Sequence, residues 1–124
     1  MTTYLCFLAL FGLVSPEPRK NVDCFKELGQ NQLEEKHRNA LIRALKNENY
    51  WMKYDCKFEL YARNALNNTE PSNASTSEYE SEDVRSVDRF LRDGVKQLGL
   101  GLFDKAGCYY AVVKNKHKLI CAYQ

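Results

Sequence analysis

Residues 108–123 read Cys108-Tyr109-Tyr110-Ala111-Val112-Val113, then Lys114-Asn115-Lys116-His117, then Lys118-Leu119-Ile120-Cys121-Ala122-Tyr123. Two runs rich in β-branched and aromatic residues flank a short polar segment, which is the pattern of a β-hairpin. If the chain folds back at the Lys114–Asn115 bond, Val113 and Lys116 become the hydrogen-bonded pair beside a two-residue turn. Pairs then alternate along the ladder, and Cys108 meets Cys121 at a non-hydrogen-bonded position, where side chains approach most closely. That register permits a cross-strand disulfide.

The segments before the hairpin are helical in pattern. Leu33, His37, Ala40, Leu41, Ala44 and Leu45 share one face of a helix that Asn47 and Asn49 end, with Lys36, Arg38, Arg43 and Lys46 largely off the stripe. Phe58, Tyr61, Ala62, Ala65 and Leu66 predict a second helix from Asp55 or Cys56, with Asp55 as its cap. Val84, Val87, Leu91, Val95 and Leu98 predict a third over 81–98, capped by Ser81 and stopped by Gly99. Residues 16–30 read as an irregular lead-in. Residues 67–81, nearly all Asn, Ser, Thr, Glu and Pro, read as an exposed loop. The expected fold is α+β: a reduced α-β-α sandwich with about three helices on a small antiparallel sheet ending in the hairpin.

The N-terminus decides the compartment. Residues 4–14 are apolar and uncharged, too few to span a bilayer and of the length of a signal-peptide core. Residues 1–18 are therefore expected as a secretory signal peptide cleaved between 15 and 18, and 19–124 as a single domain. Cleavage removes Cys6 and leaves Cys24, Cys56, Cys108 and Cys121, an even set that reads as a disulfide framework. Four cysteines allow three pairings. If the hairpin pair forms, Cys24 and Cys56 remain, and their bond closes a loop worth roughly 3–4 kcal/mol on the chain-entropy model. The sequons at Asn67 and Asn73 agree with export. The chain is expected to be extracellular and monomeric.

Eighteen basic and sixteen acidic residues in 124 give a net charge of +2, which argues against nucleic-acid binding. Stable membrane insertion is not expected either. Catalytic signals are sparse. His37 lies on an apolar helical stripe and His117 in the hairpin turn. No serine stands in a nucleophile-elbow sequence, the cysteines read as paired, and two histidines make a poor zinc set. No cofactor is expected. Eight tyrosines and six phenylalanines point instead to binding. Tyr109, Tyr110 and Tyr123 suggest an aromatic face on the hairpin. Lys114, Lys116, His117 and Lys118 suggest a basic tip for an acidic receptor, glycan or membrane surface.

Two ordered segments carry a family resemblance. The first is Leu33-Glu34-Glu35-Lys36-His37-Arg38-Asn39-Ala40-Leu41-Ile42-Arg43, followed by Met52-Lys53-Tyr54-Asp55-Cys56-Lys57-Phe58-Glu59-Leu60-Tyr61-Ala62. The second is Lys105-Ala106-Gly107-Cys108-Tyr109-Tyr110-Ala111-Val112 with Leu119-Ile120-Cys121-Ala122-Tyr123. Together they resemble the opening and closing parts of the CAP superfamily, or SCP/TAPS domain. The Met-x-Tyr-Asp-Cys form is most similar to the activation-associated secreted, venom-allergen-like proteins of parasitic nematodes. The resemblance covers about two-thirds of the chain and lacks the family's central section. His37 matches the opening-motif histidine, and Arg38 stands where that motif has Asn. None of the family's His/Glu cavity residues carries over. The resemblance implies a non-catalytic secreted effector acting by recognition of an extracellular protein or surface. A lipid or sterol carrier comes second, and a hydrolase using His37 and His117 third.

Overall fold

A computed structural model describes residues 22–69 and 74–124. The expected signal peptide and the sequon residue Asn73 lie outside the described residues. The described elements run α1 (Phe25–Leu28), a 3-10 turn (Gly29–Asn31), α2 (Glu35–Glu48), β1 (Lys53–Tyr54), α3 (Cys56–Leu66), β2 (Ser75–Ser81), α4 (Val87–Leu98), a 3-10 turn (Leu100–Leu102), β3 (Lys105–Val113) and β4 (Lys116–Tyr123). The strand order is β1-β3-β4-β2, antiparallel except that β1 runs parallel to β3.

The hairpin has the expected register. Val113 pairs with Lys116 and Cys108 with Cys121. Its two turn residues, Lys114 and Asn115, have φ of 52° and 67°. Positive φ at both positions is what a two-residue type I′ turn requires, because that turn's twist matches the strands. β3 and β4 alternate between two cores. Ala106, Cys108, Leu119 and Cys121 face α2 and α4, where they bury with Leu41, Leu45, Phe90, Leu91 and Val95. Ile120 and Ala122 face α3, where they bury with Phe58 and Ala62. The result is the α-β-α sandwich expected from the sequence.

Two glycines set how closely the helices approach the sheet. A Cβ on Gly107 would collide with the Glu59 amide nitrogen and stand 2.6 Å from the Asp55 carbonyl oxygen. The first turn of α3 therefore rests backbone-to-backbone on β3. A Cβ on Gly94 would stand 2.8 Å from Leu119 Cδ2 and 2.9 Å from Tyr79 Cδ2. That contact accounts for a glycine in mid-helix, where it costs about 1 kcal/mol in propensity.

Three local expectations are corrected. The expected loop 67–81 contains β2, an edge strand that pairs along β4 from Ser75↔Tyr123 to Ser81↔His117. Its polar composition suits an edge, and Tyr79 is its one large residue packed on the main core. Because Ser81 ends this strand, the third long helix begins later than expected. Its cap is Ser86, whose side chain accepts a hydrogen bond from the Arg89 N–H. The lead-in also contains α1, and Cys24 ties it down beside Leu28. The cap of α3 is Asp55, as expected.

Candidate functional site

Of the hairpin residues expected to form one aromatic face, Tyr110 and Tyr123 share a face, which packs on the main core, and Tyr109 lies on the other. Tyr110 points toward α2 and α4. Tyr109 lies on the opposite side of the ladder, against the α3 cluster. Tyr123 is spent on Phe103, with ring centroids 4.5 Å apart, and on a 2.8 Å hydrogen bond with Ser77 Oγ. The strand period of two separates Tyr109 from Tyr110, and both are half-buried. At the tip Lys114 and Lys116 are exposed, while Lys118 is half-buried with its Nζ 3.7 Å from Glu78 Oε2. Asn67 is exposed at the C-terminal cap of α3.

The two histidines, far apart in sequence, meet around Tyr110. The Tyr110 hydroxyl is 2.7 Å from His117 Nδ1. The His37 ring stands edge-on to Tyr110, with centroids 4.9 Å apart. Phe90 packs on Tyr110 and His117 at 5.8 and 5.7 Å. The expectation of His117 in the hairpin turn is therefore corrected: it is a half-buried residue of β4. Burial lowers the His37 pKa, although the negative charge of Glu34 works against that shift. Burial likewise raises the Tyr110 pKa. The Tyr110–His117 pair can share a proton, and Ser81 is the cross-strand neighbour of His117 on β2. On the other side of Phe90 lies a cleft of about 320 Å³ between β2 and the start of α4, with Arg85, Arg89, Asp83 and Asp93 among its lining.

A second polar cluster is buried. Arg38 and Glu59 are 1% and 0% exposed. Arg38 Nε donates to Glu59 Oε1 at 2.9 Å and Nη2 to Oε2 at 3.1 Å, a two-point contact. Nη2 also donates to the Leu33 carbonyl at 2.8 Å and Gln32 Oε1 at 2.9 Å. The carboxylate accepts two more bonds, from the Tyr54 hydroxyl at 2.6 Å and the Leu33 N–H at 2.6 Å. Burial and the Glu59 charge push the Tyr54 pKa well above its usual value. For Arg38, burial lowers the pKa, but the hydrogen bond and charge of Glu59 outweigh it and the net shift is upward. Arg38 comes from one helical layer and Glu59 from the other, so the ion pair joins the layers past the short edge strand β1. This is scaffold chemistry, since every charge is consumed internally. The disulfides Cys24–Cys56 and Cys108–Cys121 brace the same scaffold.

Phe25, Val112 and Val113 are exposed elsewhere, but the most exposed large apolar side chains stand at the end of the molecule opposite the hairpin tip. Tyr50, Trp51 and Leu102 are 71%, 80% and 93% exposed there. Their backbones are held. Asn49 Oδ1 accepts from the Trp51 N–H at 3.0 Å, and Asn49 Nδ2 donates to the Phe103 carbonyl at 3.2 Å. Lys46 Nζ donates to the Met52 and Tyr50 carbonyls at 3.0 and 3.3 Å. The Lys53 N–H donates to the Asp104 carbonyl at 2.9 Å. The turn at 49–52 and the turn at 100–103 thus form one fixed ledge. Sequence reasoning missed it, although an aromatic pair standing between the asparagine stop of α2 and β1 was a visible signal. Among the described residues no group of three or more His, Cys, Asp or Glu could hold a metal ion. No helix among them is long and apolar enough to cross a membrane.

The fold is similar to that of zinc-bound NaASP2, with a TM-score of 0.59 at 15% identity over 76% of this chain and 82% of that one. It is similar also to Na-ASP-1, with a TM-score of 0.58 at 9% identity over 87% of this chain but only 43% of that one. At these identities the likeness concerns the fold. No curated protein matches the chain in sequence. A family model described as Ancylostoma-associated secreted protein related matches residues 24–123, from the first described cysteine to the last residue of β4. The chain belongs to the family of Ancylostoma-associated secreted protein related proteins, and its α-β-α sandwich is similar in fold to NaASP2.

Proposed function

We propose that this protein is a non-catalytic extracellular effector that works by recognising a protein or a surface outside the cell. The observation that carries this reading is the ledge. Three large apolar side chains, more than two-thirds exposed, are held on backbone that is hydrogen-bonded at each turn. A monomer gains nothing in stability from presenting them, whereas a binding surface does. The disulfides and the secreted members of the family support the extracellular setting.

The carrier alternative finds less support. A lipid or sterol pocket is mostly apolar, and the cleft beside Phe90 has two arginines and two aspartates in its lining. The hydrolase alternative rests on the meeting of His37 and His117 around Tyr110, where the histidine hydrogen bond goes to the Tyr110 hydroxyl rather than to Ser81 across the ladder. The test is saturable binding of the full chain, secreted from a eukaryotic host and fluorescently labelled, to intact animal cells. Binding that survives His37→Ala with His117→Ala supports recognition. Loss of binding in that variant, with its fold intact by circular dichroism, contradicts it.

A further inference from the structure

We propose that the ledge of Tyr50, Trp51 and Leu102 docks on an anionic membrane surface. The proposal rests on the recognition reading above and names the partner. Its first support is shape. The three side chains stand out from two adjoining turns rather than lining a groove. Each can bury roughly 150–250 Å² at most. Together they fall short of the ~800 Å² that each partner contributes to a standard protein interface. A bilayer interface demands no complementary shape, and it accepts indole and phenol rings at headgroup depth with an aliphatic side chain below them.

The second support is charge. β1 and β3 run parallel, with Lys53 beside Lys105 at the edge of this end. Both are exposed, and neither has an ion-pair partner among the described residues. Like charges side by side in a sheet repel, and a negative surface would relieve that repulsion. Lys46 adds a third ammonium, folded over the Tyr50 ring 5.7 Å from its centroid. Glu48 and Asp104 share this end, so the positive charge is confined to the lysines. The attraction to anionic headgroups is local to the lysines and modest, on the order of 1 kcal/mol per lysine, or about fivefold in affinity for each.

The chain supplies its own probe, since Trp51 is its one tryptophan. The full, oxidised chain is titrated with phosphatidylcholine vesicles, with and without about one-third phosphatidylserine, a fraction chosen to give a strongly anionic surface. Emission and co-sedimentation are read together. The expected result is a blue shift of Trp51 and co-sedimentation, both stronger with phosphatidylserine. Leu102→Ser should weaken partitioning by about tenfold, as expected for loss of one buried aliphatic group. Trp51→Ala, followed by sedimentation, should do the same. Lys53→Glu with Lys105→Glu should abolish the preference for phosphatidylserine. All four sites are exposed, so the variants should fold as the parent does, which circular dichroism checks. The proposal is overturned if Trp51 emission and sedimentation do not respond to millimolar lipid. It is overturned equally if binding ignores phosphatidylserine or survives Trp51→Ala and Leu102→Ser. Cell binding that needs Trp51 without any vesicle binding would mark the partner as a protein. That outcome would end this proposal and leave the recognition reading standing.

Discussion

Replacing Arg38 with Met would leave the Glu59 carboxylate in place, fully buried, with only the Tyr54 hydroxyl and the Leu33 N–H as donors. The substitution removes the two-point contact at 2.9 and 3.1 Å and deprives the Leu33 carbonyl and Gln32 Oε1 of their donor. Breaking one side of such a buried pair costs about 3–5 kcal/mol, because the surviving charge has lost its solvation and its partner. That is a large share of the 5–15 kcal/mol typical of a whole domain, and it corresponds to a fall in Tm of about 15 °C or more. Adding Glu59→Leu removes the stranded charge and should restore most of the loss. About 1–2 kcal/mol should remain, for the Leu33 N–H left without an acceptor. The assay is urea unfolding of the oxidised protein, followed by far-ultraviolet circular dichroism. Tryptophan emission would be a poor reporter, since Trp51 is already 80% exposed when folded. A loss under 1 kcal/mol in Arg38→Met, or a double variant no more stable than the sum of the two single losses, would refute the reasoning.

Other outcomes follow from single features. Gly107→Ala should cost 3 kcal/mol or more, on the order of severe overpacking, because the α3 backbone cannot move off β3 without opening the core; urea midpoints measure it. Lys114→Asn should stabilise the fold by about 0.5–1 kcal/mol, since Asn tolerates positive φ better than Lys; a rise in Tm checks it. His37 has a lowered pKa when folded, so its neutral form is favoured there. Its contribution is fully present above its unfolded pKa of about 6.5 and is lost as pH falls through the folded value. Urea midpoints should therefore fall between pH 7.5 and 5, and His37→Phe, which keeps a ring against Tyr110, should flatten that dependence.

The parts legible in the sequence were those governed by local period and local turn chemistry. The stripe ending at Leu45, the Asp55 cap and the alternation through Cys108 and Cys121 each announce an element within a dozen residues. β2 was not legible, because an edge strand of Ser, Thr and Glu buries too little to break the composition of a loop. Arg38 read as a surface charge, because nothing in its own helix shows that Glu59 of another layer will meet it. The cluster of His37, Tyr110 and His117 is likewise a product of topology. It required the face of β3 and β4 that carries Tyr110 and His117 to be the one that α2 covers. The ledge was half-visible. Tyr50 and Trp51 stand out in a turn, but their exposure depends on the 100–103 turn packing beside them.

The central claim is that recognition runs through the ledge rather than through the hairpin tip or the histidines. The most direct measurement compares saturable binding of two variants of the full secreted chain to intact cells. One carries Trp51→Ala with Leu102→Ser, and the other Lys114→Glu with Lys116→Glu, both at exposed positions. The account predicts that the first loses about a hundredfold in affinity, as expected for two large apolar anchors, while the second stays within a few-fold of the parent. Full binding by the ledge variant, with loss confined to the hairpin variant, would contradict it.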